Sequence, residues 1–142
     1  MIDGYPPTVY ADPERQFRYE IEQLWLWTAP EPERLPLNSY SLGPDWMTSL
    51  DDTELVDRRK TVEVVIDVLT GRAPTNPARS VHAVRTNQAG SSPQRVREDQ
   101  AVALRCSIKN NTASAARLMW WRLPDGSIEL GRVAAHDDMN LR

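Results

Sequence analysis

The stretch Leu118-Met119-Trp120-Trp121-Arg122-Leu123-Pro124-Asp125-Gly126-Ser127-Ile128-Glu129-Leu130 decides the fold. Pro124-Asp125-Gly126 lies between two apolar runs and has the chemistry of a tight turn. Proline presets φ at the first corner, and glycine takes the left-handed position that closes the loop. With Leu123 and Ser127 closing the turn, Arg122 faces Ile128, Trp121 faces Glu129 and Trp120 faces Leu130. Two strands are therefore predicted, over 115–123 and 127–133. Alternation along them places Leu118, Trp120, Ile128 and Leu130 on one face. Met119, Trp121, Leu123, Glu129, Gly131 and Val133 fall on the other. The first set reads as core. The second is apolar as well, and Gly131 leaves space beside Met119 and Trp121. A sheet covered on one side does not need a second apolar face, so this one predicts a cover, either the N-terminal helix or another molecule.

Upstream of the hairpin, Val102, Leu104, Cys106 and Ile108 alternate with smaller or polar residues, the pattern of a half-buried strand. Residues 80–86 read as a short strand, 88–97 as a loop rich in Gly, Ser and Pro, and 110–114 as a turn. Four strands in this order make a mainly antiparallel meander, with a curved or cone-like sheet compatible with it.

The N-terminal part is helical. Asp12-Pro13-Glu14 places a capping residue, a first-turn proline and an acid in sequence. Phe17, Ile21, Leu24 and Thr28 then recur at helical spacing, which predicts a helix over 13–27. Residues 29–48 carry Pro30, Pro32, Pro36 and Pro44 and are expected to hold no regular element. Segment 49–71 reads two ways. Asp51 with Glu54 resembles a capping box, and Leu55, Val62, Val65, Ile66 and Leu69 share a helical face ending at Gly71. Val62, Val64, Ile66 and Val68 also alternate as a strand would. One helix over 52–70 is the preferred reading, and a strand over 61–69 the alternative. The fold class is thus α+β: one or two N-terminal helices packed on a four-stranded, mainly antiparallel sheet. Residues 1–11 are read as an extended arm, 12–135 as a single domain and 136–142 as a tail.

The composition excludes classes of function rather than naming one. The chain has 142 residues, 40% hydrophobic, 26% charged, with a formal net charge of -3. Those values fit one soluble domain, not a coiled coil, a disulfide scaffold or a bulk nucleic-acid binder. The single cysteine, Cys106, and the absence of a basic-then-apolar leader at Met1–Pro7 lead to an expected cytoplasmic location. No apolar run is long enough for a membrane span. Arginine outnumbers lysine fifteen to two, which favours bidentate contacts with carboxylate or phosphate. Residues 1–50 hold three basic and eight acidic side chains, a balance of -5, whereas 58–109 hold ten basic and four acidic, a balance of +6. An acidic segment lying against a basic body is the simplest use of that split.

Three candidate sites follow. Five tryptophans against one phenylalanine point to aromatic anchors. Trp121, Met119, Val133, Trp25 and Trp27 would then form the contact surface of a non-enzymatic interaction protein, an adaptor or assembly subunit that binds a protein partner or itself. Glu63 and Asp67, four apart on one helix face, together with His82, are the acid/base candidates of a small-molecule enzyme or binder with a pocket between helix and sheet. Arg58, Arg59, Lys60, Arg95 and Arg97 form a possible basic patch for nucleic acid, which the net negative charge disfavours. Cofactors and metal sites are not expected: His136-Asp137-Asp138 matches no zinc spacing and reads as a solvated tail, and Cys106 falls on the apolar side of its strand. No phosphate-loop, nucleophile-elbow or dinucleotide motif occurs.

Overall fold

The structure, a computed structural model, describes residues 10–28, 34–86, 92–108 and 116–142. The expected turn at 110–114 and residues 1–9 of the expected arm lie outside them. In chain order the elements are α1 (Pro13–Thr28), β1 (Tyr40–Leu42), α2 (Trp46–Ser49), α3 (Arg58–Leu69), a 3-10 turn (Ala73–Thr75), β2 (His82–Ala83), β3 (Val102–Ser107), β4 (Ala116–Arg122) and β5 (Ile128–Ala135). The sheet order is β1-β5-β4-β3-β2. Strands β2 to β5 form the antiparallel meander, and β1 adds a fifth, parallel strand beside β5. The fold is α+β with a mixed five-stranded sheet.

β1 corrects the expectation for 29–48. Tyr40 to Leu42 lie between Pro36 and Pro44, so the prolines flank the strand without interrupting it. As an edge strand it bonds one neighbour: Ile128 N–H donates to the Ser39 carbonyl at 3.0 Å, and Gly43 N–H to the Leu130 carbonyl at 2.7 Å. Gly43 is required here, because an added Cβ would sit 2.9 Å from the Leu130 oxygen. The same proline-rich segment holds α2, whose Trp46 is fully buried edge-on to Phe17, with ring centroids 5.4 Å apart.

α1 matches its expected start. The Asp12 carboxylate accepts from Glu14 N–H at 3.2 Å, and the Asp12 carbonyl accepts the first helical bond from Gln16 N–H. α3 begins six residues later than expected. Asp57, not Asp51, is its cap, with Oδ1 accepting from Lys60 N–H at 3.0 Å. Asp52 instead closes a turn of its own by accepting from the N–H groups of Glu54 and Leu55. Segment 61–69 is helical. β-branched residues do not prevent this, because Val62, Val65 and Leu69 meet α1 and the sheet, and burial of each contributes on the order of 1.5–3 kcal/mol. That outweighs the few tenths that helix propensity takes away.

The hairpin has the expected register: Trp120 pairs with Leu130, Trp121 with Glu129 and Arg122 with Ile128. Gly126, at φ +88°, closes the turn by donating to the Leu123 carbonyl. Farther along, Met119 pairs with Arg132, so Gly131 is an extra residue in β5, a bulge. The bulge shifts the alternation by one, and Val133 pairs with Leu118 on the helix-covered face. Val133 therefore belongs to the main core and not to the opposite face, correcting the strict alternation. The expected strand over 80–86 shrinks to His82–Ala83 plus an isolated bridge between Arg85 and Gln94.

Candidate functional site

α1 and α3 lie side by side on one face of the sheet. Glu20, in the middle of α1, meets Arg58 at the start of α3 through two bonds of 3.0 and 3.1 Å, and Gln16 adds a third bond to the same carboxylate. Toward the later turns of both helices the packing opens into a pocket of about 240 Å³. Its apolar wall is Leu24, Trp25, Leu35 and Ile66. Its polar side is Glu63, Asp67, Thr70, Arg72 and Arg79.

Two of the three acid/base candidates thus share a pocket, as their spacing of four on one helix implies. His82 does not join them: it is exposed on β2, opposite Arg105 at the far edge of the sheet. The carboxylates face cations rather than an apolar surround. Asp67 accepts from Arg79 Nε at 2.9 Å, and the Arg79 side chain is 8% exposed. Glu63 lies 3.3 Å from Arg59 and 3.6 Å from Lys60. Arg72 is exposed at the rim with no ion-pair partner among the described residues. The hollow thus combines an apolar wall with ion-paired carboxylates and the Arg72 guanidinium at its edge.

The tryptophans divide between surface and interior. Trp25 donates its indole N–H to the Leu35 carbonyl at 2.8 Å, with the Arg34 guanidinium over its ring. Trp27, at the same end of α1, is 56% exposed, and Leu26 and Leu35 are each about two-fifths exposed. Met119 and Trp121, in contrast, are buried in a second apolar cluster with Val84, Ala101, Ala103 and Ala134. The cover is neither α1 nor a partner. It is the segment 136–142, whose Met139 and Leu141 pack on that cluster while the Arg142 carbonyl accepts the Trp121 indole N–H at 3.0 Å. Arg132 holds the segment through Asp138, and Asp45 holds it through Arg142. Within the expected tail, His136 and Asp137 are exposed, whereas Met139 and Leu141 are half-buried against the cluster. The signal for this was Gly131 facing an apolar pair, Met139 and Leu141, spaced two apart.

The five basic candidates do not make one patch. Arg58, Arg59 and Lys60 form the first turn of α3, on the helical face, and pair with Glu20 and Glu63. Arg97 lies on the opposite face, stacked 4.9 Å over Trp121 and bonded to Asp99 and Glu129, which push its guanidinium pKa up further. Arg95 lies two residues from it on the same segment. The Glu20–Arg58 ion pair joins the acidic 1–50 stretch to the basic 58–109 stretch.

Cys106 is fully buried on β3, and desolvation pushes its thiol up to about 12, far from a reactive thiolate. Among the described residues no cluster of His, Cys, Asp and Glu could hold a metal ion, and no helix is long and apolar enough to cross a membrane. The chain matches no family model, no curated protein and no solved structure.

Proposed function

We propose that this chain is a non-enzymatic interaction protein, an adaptor or a subunit of a larger assembly in the cytoplasm. It binds a protein partner at the C-terminal end of α1 and the adjoining cleft against α3. The carrying observation is the 56% exposure of Trp27 at the end of α1, whose Leu24 and Trp25 wall a hollow with Leu35 and Ile66. An exposed tryptophan next to an apolar pocket is the usual composition of an interface centre. Arg72 at the rim supplies the charge complement, so the partner segment carries an apolar anchor next to a carboxylate. The ion pairing of Glu63 and Asp67 favours this reading over acid/base catalysis.

Selection of a random peptide library on the immobilised full chain tests the proposal. Enriched peptides should pair an apolar residue with Asp or Glu. Their binding should shift the Trp25 and Trp27 indole and the Ile66 amide resonances. Trp27→Asp and Arg72→Glu should each weaken binding by about tenfold or more. No enrichment, or resonance shifts confined to other parts of the chain, overturns it.

A further inference from the structure

A second hollow lies at the other side of α3, between its C-terminal end and the sheet. It follows from lengths. A twelve-residue helix spans roughly 18 Å, and an eight-residue strand roughly 26 Å, so α3 ends before the hairpin end of β4 and β5 is covered. Two rows of the ladder lie on the helical face there. Leu104 pairs with Trp120 in one row, and Val102, Arg122 and Ile128 align in the next. The chain turns away at Gly71, at φ +79°, and Ala73 and Pro74 close over the gap as a partial roof. What remains is a pocket of about 220 Å³ with apolar walls from Val68, Ala73, Val81, Leu104, Trp120 and Ile128.

Its polar groups are few and of one kind. Arg122 follows Trp120 by two on β4, so it faces the pocket. It is exposed at the mouth and has no ion-pair partner among the described residues. Among the described residues no carboxylate lines the space. Asn38 donates one amide proton to the Gly126 carbonyl at 2.7 Å, and an amide has a second. The α3 C-terminus does not oppose an anion strongly, because its last carbonyls are already accepting: Ile66 from Thr70, Asp67 from Arg72, Val68 from Gly71 and Leu69 from Asn38.

We propose that this pocket binds a small organic monocarboxylate with a compact aromatic or branched apolar body. The body would stack against Trp120 and Leu104, and the carboxylate would take a bidentate contact from Arg122 with help from the Asn38 amide. The volume lies below the ~300 Å³ at which ordinary drug-sized sites begin, so the ligand is a small metabolite-like acid. The site lies on residues other than those of the α1–α3 cleft and does not depend on it.

The test is titration of the full chain with 3-phenylpropionate and, separately, its neutral amide, followed by Trp fluorescence and amide and indole resonances. The acid should saturate with a Kd at or below ~1 mM, and shift Trp120, Val81 and Ala73. The amide should bind about tenfold more weakly. Arg122→Gln, an exposed change, should bring the acid down to the level of the amide, and Ala73→Leu should abolish both. Lack of saturation, equal affinity for acid and amide, shifts elsewhere in the chain, or an Arg122→Gln variant that keeps its preference for the acid each overturns the proposal.

Discussion

Leu141 packs against the backbone of Gly131: a Cβ added at Gly131 would collide with Leu141 Cδ1 and lie 2.9 Å from the Met119 oxygen. One glycine thus makes both the bulge in β5 and the seat for the segment that covers Met119 and Trp121. Gly131→Ala should cost about 1–3 kcal/mol by overpacking, read from denaturant unfolding. In a Leu141→Ala background the penalty should fall but not vanish, because the Met119 oxygen remains. A double-mutant cycle measures the difference. An equal penalty in both backgrounds would show that Leu141 does not sit there.

Asp57 rather than the expected Asp51 holds the start of α3. Asp57→Ala should lower stability by about 1 kcal/mol through loss of the bond to Lys60 N–H. Asp51→Ala should change it by less than about 0.5 kcal/mol, as for an ordinary surface position. Thermal melts of both variants compare them directly.

Glu20 is 8% exposed and takes its bonds from Arg58 and Gln16. Arg58→Met would leave a nearly buried carboxylate short of its cation, at a cost of about 1–3 kcal/mol. Lys60→Met removes a half-exposed partner of Glu63 and should cost less than about 0.5 kcal/mol. Chemical denaturation of the two variants is the measurement.

The Arg97 hydrogen bond, aided by the Ala101 N–H, holds the Asp99 carboxyl at about 2 against an ordinary 3.8. A depressed carboxylate stabilises the fold above its unfolded pKa, and that contribution disappears as pH falls through the folded value. Asp99→Asn should therefore be less stable than the parent chain at about pH 7. The gap should begin to close below about pH 5 and be gone only near pH 1, below the folded value of about 2, as melting temperatures across that range will report. A gap that persists unchanged at acid pH would remove the assignment.

Burial raises the Cys106 thiol from 9.0 to about 12. The native chain should resist a thiol-specific reagent at about pH 8, where an exposed cysteine reacts readily, and should react stoichiometrically once unfolded in guanidinium. Reaction of the native chain at the unfolded rate would contradict its place in the core.

Legibility followed the range of the interactions. The start of α1 was readable because Asp12 and Pro13 act on the next few residues. The hairpin register was readable because Pro124-Asp125-Gly126 sets it locally. β1 was missed because three residues between prolines carry almost no local signal, and β5 provides the partner 88 residues away. The face of Val133 was missed because a bulge reverses alternation without altering composition. At the candidate sites, the shared placement of Glu63 and Asp67 followed from helical spacing. Their ion pairing with Arg79, Arg59 and Lys60 lessened the case for catalysis, and Trp121 proved to be interior.

By itself, the sequence determined what depends on neighbouring backbone angles and periodicity: the helix of the N-terminal third, the turn at 124–126, the alternating strands, and an apolar second face on the hairpin that had to be covered. Tertiary structure decided what covers it. Met139 and Leu141 do so rather than α1 or a partner, because several apolar segments of similar composition could serve. The choice rests on the notch at Gly131, the indole bond to Arg142 and the Arg132–Asp138 and Asp45–Arg142 pairs. The Asp45–Arg142 pair spans 97 residues and the Trp121–Arg142 bond 21, and their energies appear only when the chain has brought them together.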